Sequence, residues 1–309
     1  MRVGFIGLGM MGRNAALNVA RKGFEMVVYD IRPEAMLPLI DKGATPAGNP
    51  ADVLGRADVV VTMVFGPKEI EAVLRGPDGF LSIDCTGKIW IDLTTSRPPL
   101  MRDIGAEFRA RGGAVIDAPV TGSVDSAIRG DMLMFVGGEA DDIERARPVI
   151  EAMGEIRKVG AHGNGYVAKL VNNQLWKIHA AAIGEAMVTA KLAGLDPKVW
   201  WDVMKGGAAD SFVLQHDVPS IFAGHYDPSF PIALCLKDLG LIEELMTETG
   251  TRNELTRATH DRFKEAAARY GTDAGEMTVC KLIEDDAGVE LRVAGHWIAP
   301  WEVQPPTTG

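Results

Sequence analysis

Residues 1–30, MRVGFIGLGMMGRNAALNVARKGFEMVVYD, decide the fold. An apolar run, Val3 to Ile6, precedes Gly7-x-Gly9-x-x-Gly12. A helical stretch then reaches Gly23, and a second apolar run, Met26 to Tyr29, closes on Asp30. Each part has a physical task in holding a dinucleotide. Gly7 permits the tight turn, Gly9 lets the backbone approach a pyrophosphate, and Gly12 allows helix and strand to pack closely. The free N–H groups and positive dipole end of the helix receive the phosphate charge. Asp30 stands where a carboxylate can accept hydrogen bonds from a ribose diol. A bare GxGxxG is weak evidence; here strand, turn, helix, second strand and acid fall in register.

Beyond Asp30 the alternation continues. Pro33 to Lys42 reads as helical and Val59 to Val64 as a buried parallel strand. Trp90 to Leu93, Ala114 to Asp117 and Leu133 to Val136 supply further strands, with helical segments at Glu69 to Leu74 and Pro99 to Arg111. The expected class is α/β: a Rossmann, doubly wound, mainly parallel sheet over residues 1–163, with helices on both faces. Gly160-Ala161-His162-Gly163-Asn164-Gly165 breaks this pattern. Residues 166 to 195 then run without proline to Gly194, with Pro197 just beyond, which predicts a helix of about 30 residues and ~45 Å. Helices are expected at Pro197 to Lys205, Ile232 to Thr249, Glu254 to Tyr270 and from near Glu276. Residues 164–290 thus read as an all-helical substrate and dimerisation domain, opened by the long helix and followed by a tail, 291–309. Trp297 and Trp301 flank Ala299-Pro300 in that tail, which ends Pro305-Pro306-Thr307-Thr308-Gly309. Exposed tryptophans are poorly placed in water, so the tail is expected to dock on this or a neighbouring subunit; a frayed terminus is the plain alternative.

Composition narrows the partners. Of 309 residues, 47% are hydrophobic and 24% charged, and 32 Lys+Arg against 42 Asp+Glu give a net charge of −10 without a basic stripe. That argues against nucleic acid and anionic membrane surfaces. No apolar stretch approaches the ~18 residues of a membrane span. The first strand begins at Val3, so no signal peptide is expected ahead of it. Cys85, Cys235 and Cys280 are widely spaced and odd in number, as expected of reduced thiols in a cytoplasmic protein. The six histidines have no ligand-like spacing, so no metal is expected.

Two segments could carry chemistry. Gly163-x-Gly165-x-x-x-Lys169-x-x-Asn172-Asn173 opens the long helix, and positions i, i+3 and i+4 share a face. A lysine near a helix start and a bound nicotinamide could have its proton affinity lowered; a solvated lysine with two asparagines on an exposed face is the ordinary alternative. Asp117-Ala118-Pro119-Val120-Thr121-Gly122-Ser123, continuing to Ala127-x-x-Gly130, follows a strand at the ligand-binding edge of the sheet. Its small residues leave backbone N–H groups open to a carboxylate or sulfonate; a Pro-Gly turn with capping hydroxyls is the ordinary alternative.

Together these segments resemble the β-hydroxyacid dehydrogenase family (3-hydroxyisobutyrate dehydrogenase and tartronate semialdehyde reductase-like). Gly7-Leu8-Gly9-Met10-Met11-Gly12 looks like the family's cofactor motif and Asp117 to Gly130 its substrate motif. Gly163 to Asn173 looks like its catalytic motif, and Lys237-Asp238-Leu239 its late KDL motif. The resemblance implies that Lys169 is the general acid/base and that Asn173 holds the substrate, with Asn172 in support. Thr121, Gly122 and Ser123 would clasp the acid group. Asp30, Ile31 and Arg32 would meet the ribose, Met63, Val64 and Phe65 the adenosine, and Thr95 and Lys237 the rest of the cofactor. Asp30 favours NAD over NADP, although Arg32 could accommodate a 2′-phosphate. The family's Ser-Gly-Gly is here Thr121-Gly122-Ser123, so an extra buried hydroxyl would want a partner, and a substrate with another polar group or a sulfonate fits. Phe212 and Phe230 stand where aromatics would close the pocket, or are plain core. The expected activity is hydride transfer between NAD(P) and a small 3-hydroxy acid or its semialdehyde. Alternatives are tartronate semialdehyde or a sulfonate aldehyde as substrate, or imine reduction on the same fold, against which Lys169 speaks. A helix as long as that after Gly165 also implies a partner subunit, as in a homodimer or homotetramer.

Overall fold

The first apolar run forms strand β1 (Arg2–Ile6) and the glycine turn leads into α1 (Met10–Arg21), then β2 (Glu25–Tyr29), in a computed structural model that describes residues 1–306. The alternation continues through α2 (Leu37–Ile40), β3 (Thr45–Pro46), α3 (Pro50–Arg56), β4 (Val59–Thr62), α4 (Pro67–Arg75), β5 (Ile89–Asp92), α5 (Pro98–Ala110) and β6 (Ala114–Asp117). These strands lie parallel in the order β3-β2-β1-β4-β5-β6. Every residue of β4 and β5 is buried, which is why they read as unbroken apolar runs. Alternate residues feed two separate cores: Val3, Phe5, Val59, Val61 and Ile91 on one face, Val27, Val60, Trp90 and Val115 on the other.

The sheet changes character after Asp117. β7 (Val120–Thr121), α6 (Val124–Arg129), β8 (Met132–Gly137), α7 (Ala140–Ile150) and β9 (Gly154–Gly160) complete it. The strand expected at Leu133 to Val136 is present as β8, but it runs antiparallel to β6 and β7 and parallel to β9. β9, GEIRKVG, lies at the margin with its charged residues outward, so it shows no apolar run. Asp117 ends a strand whose chain continues through a two-residue strand, too short for periodicity to register.

The chain divides into two compact units, one built from Met1–Lys169 with the segment from Val303, the other from Leu170–Glu302. The division falls inside the long helix α8 (Asn164–Leu192). The second unit adds α9 (Pro197–Met204), a π-turn at Val213–Asp217, α10 (Val218–Ala223), α11 (Ile232–Thr249), α12 (Glu254–Tyr270) and α13 (Thr278–Ala287). Its core gathers Trp200, Leu214, Phe222, Leu239, Phe263 and Cys280. The tail docks on this same unit: Trp297 packs edge-on to Trp201 at 5.7 Å and against Phe222 at 5.1 Å, and its Nε1 donates to the Val293 carbonyl at 2.8 Å. Trp301 meets His225 at 5.0 Å. Residues 307–309 of the expected tail lie outside the described residues. All three cysteines are free and buried. Among the described residues, no helix is long and apolar enough to cross a membrane, and no group of three or more side chains could hold a metal ion.

Candidate active site

Strand order reverses at β1, with β2 on one side and β4 on the other, and the glycine turn sits at that switch point. Gly7 takes φ +90°, and a Cβ there would lie 2.1 Å from the Met63 carbonyl oxygen after β4. A Cβ on Gly12 would strike the Gly7 carbonyl oxygen at 2.1 Å. A Cβ on Gly9 would meet nothing within 4 Å. Two glycines therefore serve the close packing of the turn, while the third presents bare backbone to open space. α1 starts at that backbone with no side-chain cap and no acid in its first turn, leaving its N–H groups and dipole for an anion. These features fit a dinucleotide pyrophosphate.

Asp30 has two tasks. Its carboxylate accepts from the Leu8 N–H at 2.7 Å and from the Arg32 N–H at 2.9 Å, and Arg32 Nε lies 3.4 Å away. The acid at the end of β2 therefore ties down both the glycine turn and the chain just after β2. Ile31 and Phe65 are exposed, as is Met10 on the first turn of α1. Isolated apolar side chains on a surface are ordinary; Met10 opens α1, and Ile31 and Phe65 follow β2 and β4. Met63 and Val64 are half-buried, and the Val64 N–H donates to Thr94 Oγ1 at 3.2 Å, so β4 and β5 hold their C-terminal ends together beside Thr95.

Two buried carboxylates pin the start of α8, and this was not legible in the sequence. Asp117, ending β6, accepts from the Gly163 N–H at 3.0 Å and the Gly165 N–H at 2.6 Å. It supplies the helix with the partners its first amides lack. Burial raises its pKa, against the pull of those N–H bonds. Asp92, ending β5, accepts from Thr62 Oγ1 at 2.5 Å and from the Tyr166 hydroxyl at 3.0 Å, and Trp90 Nε1 donates to Thr62 Oγ1 at 2.8 Å. Burial pushes Asp92 up to about 7, opposed by the hydroxyls of Thr62, Thr94 and Tyr166. His162, pushed down to about 3 by burial and by Arg109 and Arg102, packs edge-on to Tyr166 at 6.1 Å. The strand ends thus fix the rotation and depth of the first turn of α8, and with it the position of Lys169 one turn later.

Thr121 ends β7, Gly122 adopts φ +117°, and Ser123 occupies the N-cap of α6 without a side-chain capping bond. Ser123 is half-buried. Its hydroxyl is not consumed as a cap.

In the helical unit, Asn173 is buried and its Nδ2 donates to Asp238 Oδ2 at 2.7 Å, while Asn172 Nδ2 donates to Asn173 Oδ1 at 3.2 Å. Lys237 Nζ lies 3.0 Å from Asp238 Oδ1. The catalytic-motif asparagines and the late Lys-Asp pair, 65 residues apart, form one network. Phe230 packs edge-on to Trp176 at 5.0 Å, and Phe212 stacks on His216 at 4.5 Å. His216 Nδ1 lies 2.7 Å from Asp217 Oδ1, and Asp217 Oδ2 accepts from Trp176 Nε1 at 2.9 Å, which links both aromatics to α8. Lys177 is fully buried beside them.

Comparison with known proteins agrees with this construction. A family model described as the NAD binding domain of 6-phosphogluconate dehydrogenase matches residues 2–164. One described as the NAD-binding domain of NADP-dependent 3-hydroxyisobutyrate dehydrogenase matches residues 163–283. The chain is 33% identical to L-threonate dehydrogenase of Cupriavidus necator, covering 94% of this chain and 97% of that protein. It is 34% identical to 3-sulfolactaldehyde reductase of Escherichia coli, covering 94% and 98%. Among solved structures, Mycobacterium tuberculosis 3-hydroxyisobutyrate dehydrogenase with L-serine superposes with a TM-score of 0.83 at 28% identity, over 92% of this chain and 99% of that one. With a glycine turn shaped for a dinucleotide, a lysine set on a pinned helix start, and these relatives along 94% of its length, the chain belongs to the β-hydroxyacid dehydrogenase family of NAD(P)-dependent oxidoreductases acting on CH–OH groups.

Proposed function

We propose that this enzyme interconverts a small 3-hydroxy acid and its semialdehyde, with NAD as the preferred cofactor and Lys169 as the proton-transfer residue. The observation that carries the reading is the placement of Lys169 on a helix whose first turn is held by Asp92 and Asp117. A bound nicotinamide supplies the hydride acceptor or donor. Lys169 takes the hydroxyl proton during oxidation and returns it during reduction. Thr121, Gly122 and Ser123 hold the acid group, Asn173 orients the reacting end, and the Asp238 contact fixes the Asn173 amide. Asp30 supports NAD, since a 2′-phosphate there would meet its carboxylate; Arg32 is turned onto that same carboxylate. Lys169 weighs against imine reduction on this scaffold.

The test is initial rates of NAD⁺ and NADP⁺ reduction over a panel of 3-hydroxy acids and hydroxy sulfonates, with Lys169→Ala alongside. Turnover of an acid with NAD⁺, reduced by about 10² or more in the variant while NADH still binds, is the expected result. Unchanged turnover in Lys169→Ala would remove the lysine from the mechanism.

The same reading includes a homodimer or a tetramer built from it, acting in the cytoplasm. Val171 and Leu175 are exposed on α8, followed on the same face by Ala182 and Ala186 and, at its end, by Leu192. A 29-residue helix with such a stripe supports burial against a second copy. A monomeric mass by light scattering at micromolar concentration would count against it. The free, buried cysteines support a reducing compartment.

A further inference from the structure

Asn18 stands in the interior of α1 and is only 5% exposed, although asparagine is a poor helix former and an apolar residue ordinarily fills such a place. Its Nδ2 donates to the Ala127 carbonyl of α6 at 2.7 Å, and its Oδ1 accepts from Arg21 Nη1. Arg21 Nη1 also lies 3.5 Å from the Ile128 carbonyl. A guanidinium only donates and a carbonyl only accepts, so the side chain between them must do both. An amide meets that demand; a carboxylate or an alkyl group of the same size does not.

The contact closes the C-terminal end of α6. The Ser126 carbonyl accepts the Gly130 N–H at 2.9 Å and the Asp131 N–H at 3.1 Å. The Ala127 and Ile128 carbonyls, at the end where a helix runs out of its own amides, are met by Asn18 and Arg21. Gly130 leaves room for this: it takes φ +79°, and a Cβ there would lie 3.0 Å from Asn18 Nδ2. At the other end of α6, the Ala127 N–H donates to the Ser123 carbonyl at 3.1 Å, and a Cβ on Gly122 would lie 2.9 Å from the Ser126 side chain. Thr121 is registered on Leu133 by the pairing of β7 with β8. The segment Thr121–Ser123 is therefore held by β8 on one side and by α6 on the other. Asn18 bonds α6 to the helix whose first turn, about 12 Å away, faces the pyrophosphate. All of these residues belong to the one compact unit built on Met1–Lys169.

We propose that Asn18 is a positioning residue for the substrate's acid group. By locking α6 onto α1 it sets where Thr121, Gly122 and Ser123 stand relative to the cofactor, so that acid and dinucleotide are held by one rigid beam. This rests on the reading of Thr121–Ser123 as the acid clasp given above. Asn18 itself touches neither ligand. Its loss leaves the Ala127 carbonyl buried without its donor, and α6 moves to find another, carrying Gly122 and Ser123 with it.

The experiment uses the intact enzyme with 3-hydroxypropanoate, 3-hydroxyisobutyrate and 3-hydroxypropane-1-sulfonate, and compares the parent with Asn18→Leu and Asn18→Asp. Asn18→Asp keeps the shape and the acceptor for Arg21 but lacks the donor for Ala127. On whichever compound the parent turns over best, KM should rise about tenfold or more in both variants, with kcat changed much less. NADH affinity by fluorescence titration should stay within about twofold, because the glycine turn is untouched. Without any ligand, amide exchange over residues 124–131 should be faster in both variants. Leu54→Ala, a core truncation in α3, should lower the thermal midpoint without raising KM, which separates positioning from general loss of stability. An unchanged KM in the Asn18 variants, an NADH affinity weakened as much as KM rises, or an equal rise of KM in Leu54→Ala overturns the role of Asn18 alone. A parent that binds NADH but turns over none of these compounds and none of the wider panel overturns the hydroxy-acid reading, and the role of Asn18 with it.

Discussion

Asp92 makes stability fall with rising pH, opposite to a salt-bridged surface acid. In the folded chain its carboxyl is sealed between β4, β5 and the first turn of α8, and burial pushes it from 3.8 up to about 7. The proton therefore stays on Asp92 up to about pH 7 when folded, and leaves near 3.8 when unfolded. Between those values the folded state binds more protons than the unfolded state, so the free energy of unfolding falls as pH rises. Roughly three units at 1.36 kcal/mol each give about 4 kcal/mol when the window is fully crossed. Asp92→Asn removes the titration while keeping an oxygen for Thr62 or Tyr166, whose hydroxyls can also accept from the amide. Trp90 is the only tryptophan within residues 1–169 and donates to Thr62 in this same network, so its emission reports the relevant unit. Urea unfolding of parent and variant at pH 4.5, 5.5, 6.5 and 7.5 gives the difference curve. The parent should lose most of those 4 kcal/mol relative to Asp92→Asn across the series. A flat difference, or one that grows in the parent's favour with pH, refutes the reasoning.

The glycine turn offers a paired test: Gly9→Val should fold like the parent, since its Cβ meets nothing within 4 Å, yet bind NADH at least tenfold more weakly in a fluorescence titration, because the side chain enters the pyrophosphate space. Gly12→Ala should instead lower the thermal midpoint, by about 4 °C or more for each kcal/mol in a domain of under about 100 residues and by less here, because its Cβ would overlap the Gly7 carbonyl oxygen. Asp117→Ala leaves two buried amides, of Gly163 and Gly165, without their acceptor; a loss of about 2–6 kcal/mol is expected at roughly 1–3 kcal/mol each. Urea unfolding measures that loss, and hydrogen exchange localised to residues 163–169 should rise with it.

Much of this molecule was legible in one dimension. The turn at Gly7 to Gly12, the buried strands β4 and β5, and the helices at Ile232 to Thr249 and Glu254 to Tyr270 follow from local patterns, since the period of apolar residues reports the element that will bury them. The motif residues Lys169, Asn172 and Asn173 were legible for the same reason: they share one helix, and helical spacing is a local property. What local patterns cannot carry is which segment pairs with which. The direction of β8 against β6, the bond from Asn173 to Asp238, and the capping of Gly163 and Gly165 by Asp117 join residues 20, 65 and 46–48 positions apart. Element type was settled by the chain's own short-range chemistry, whereas the partners of Asp92 and Asp117 were settled by tertiary burial, which strips water from a polar group and forces it to find an acceptor or donor elsewhere.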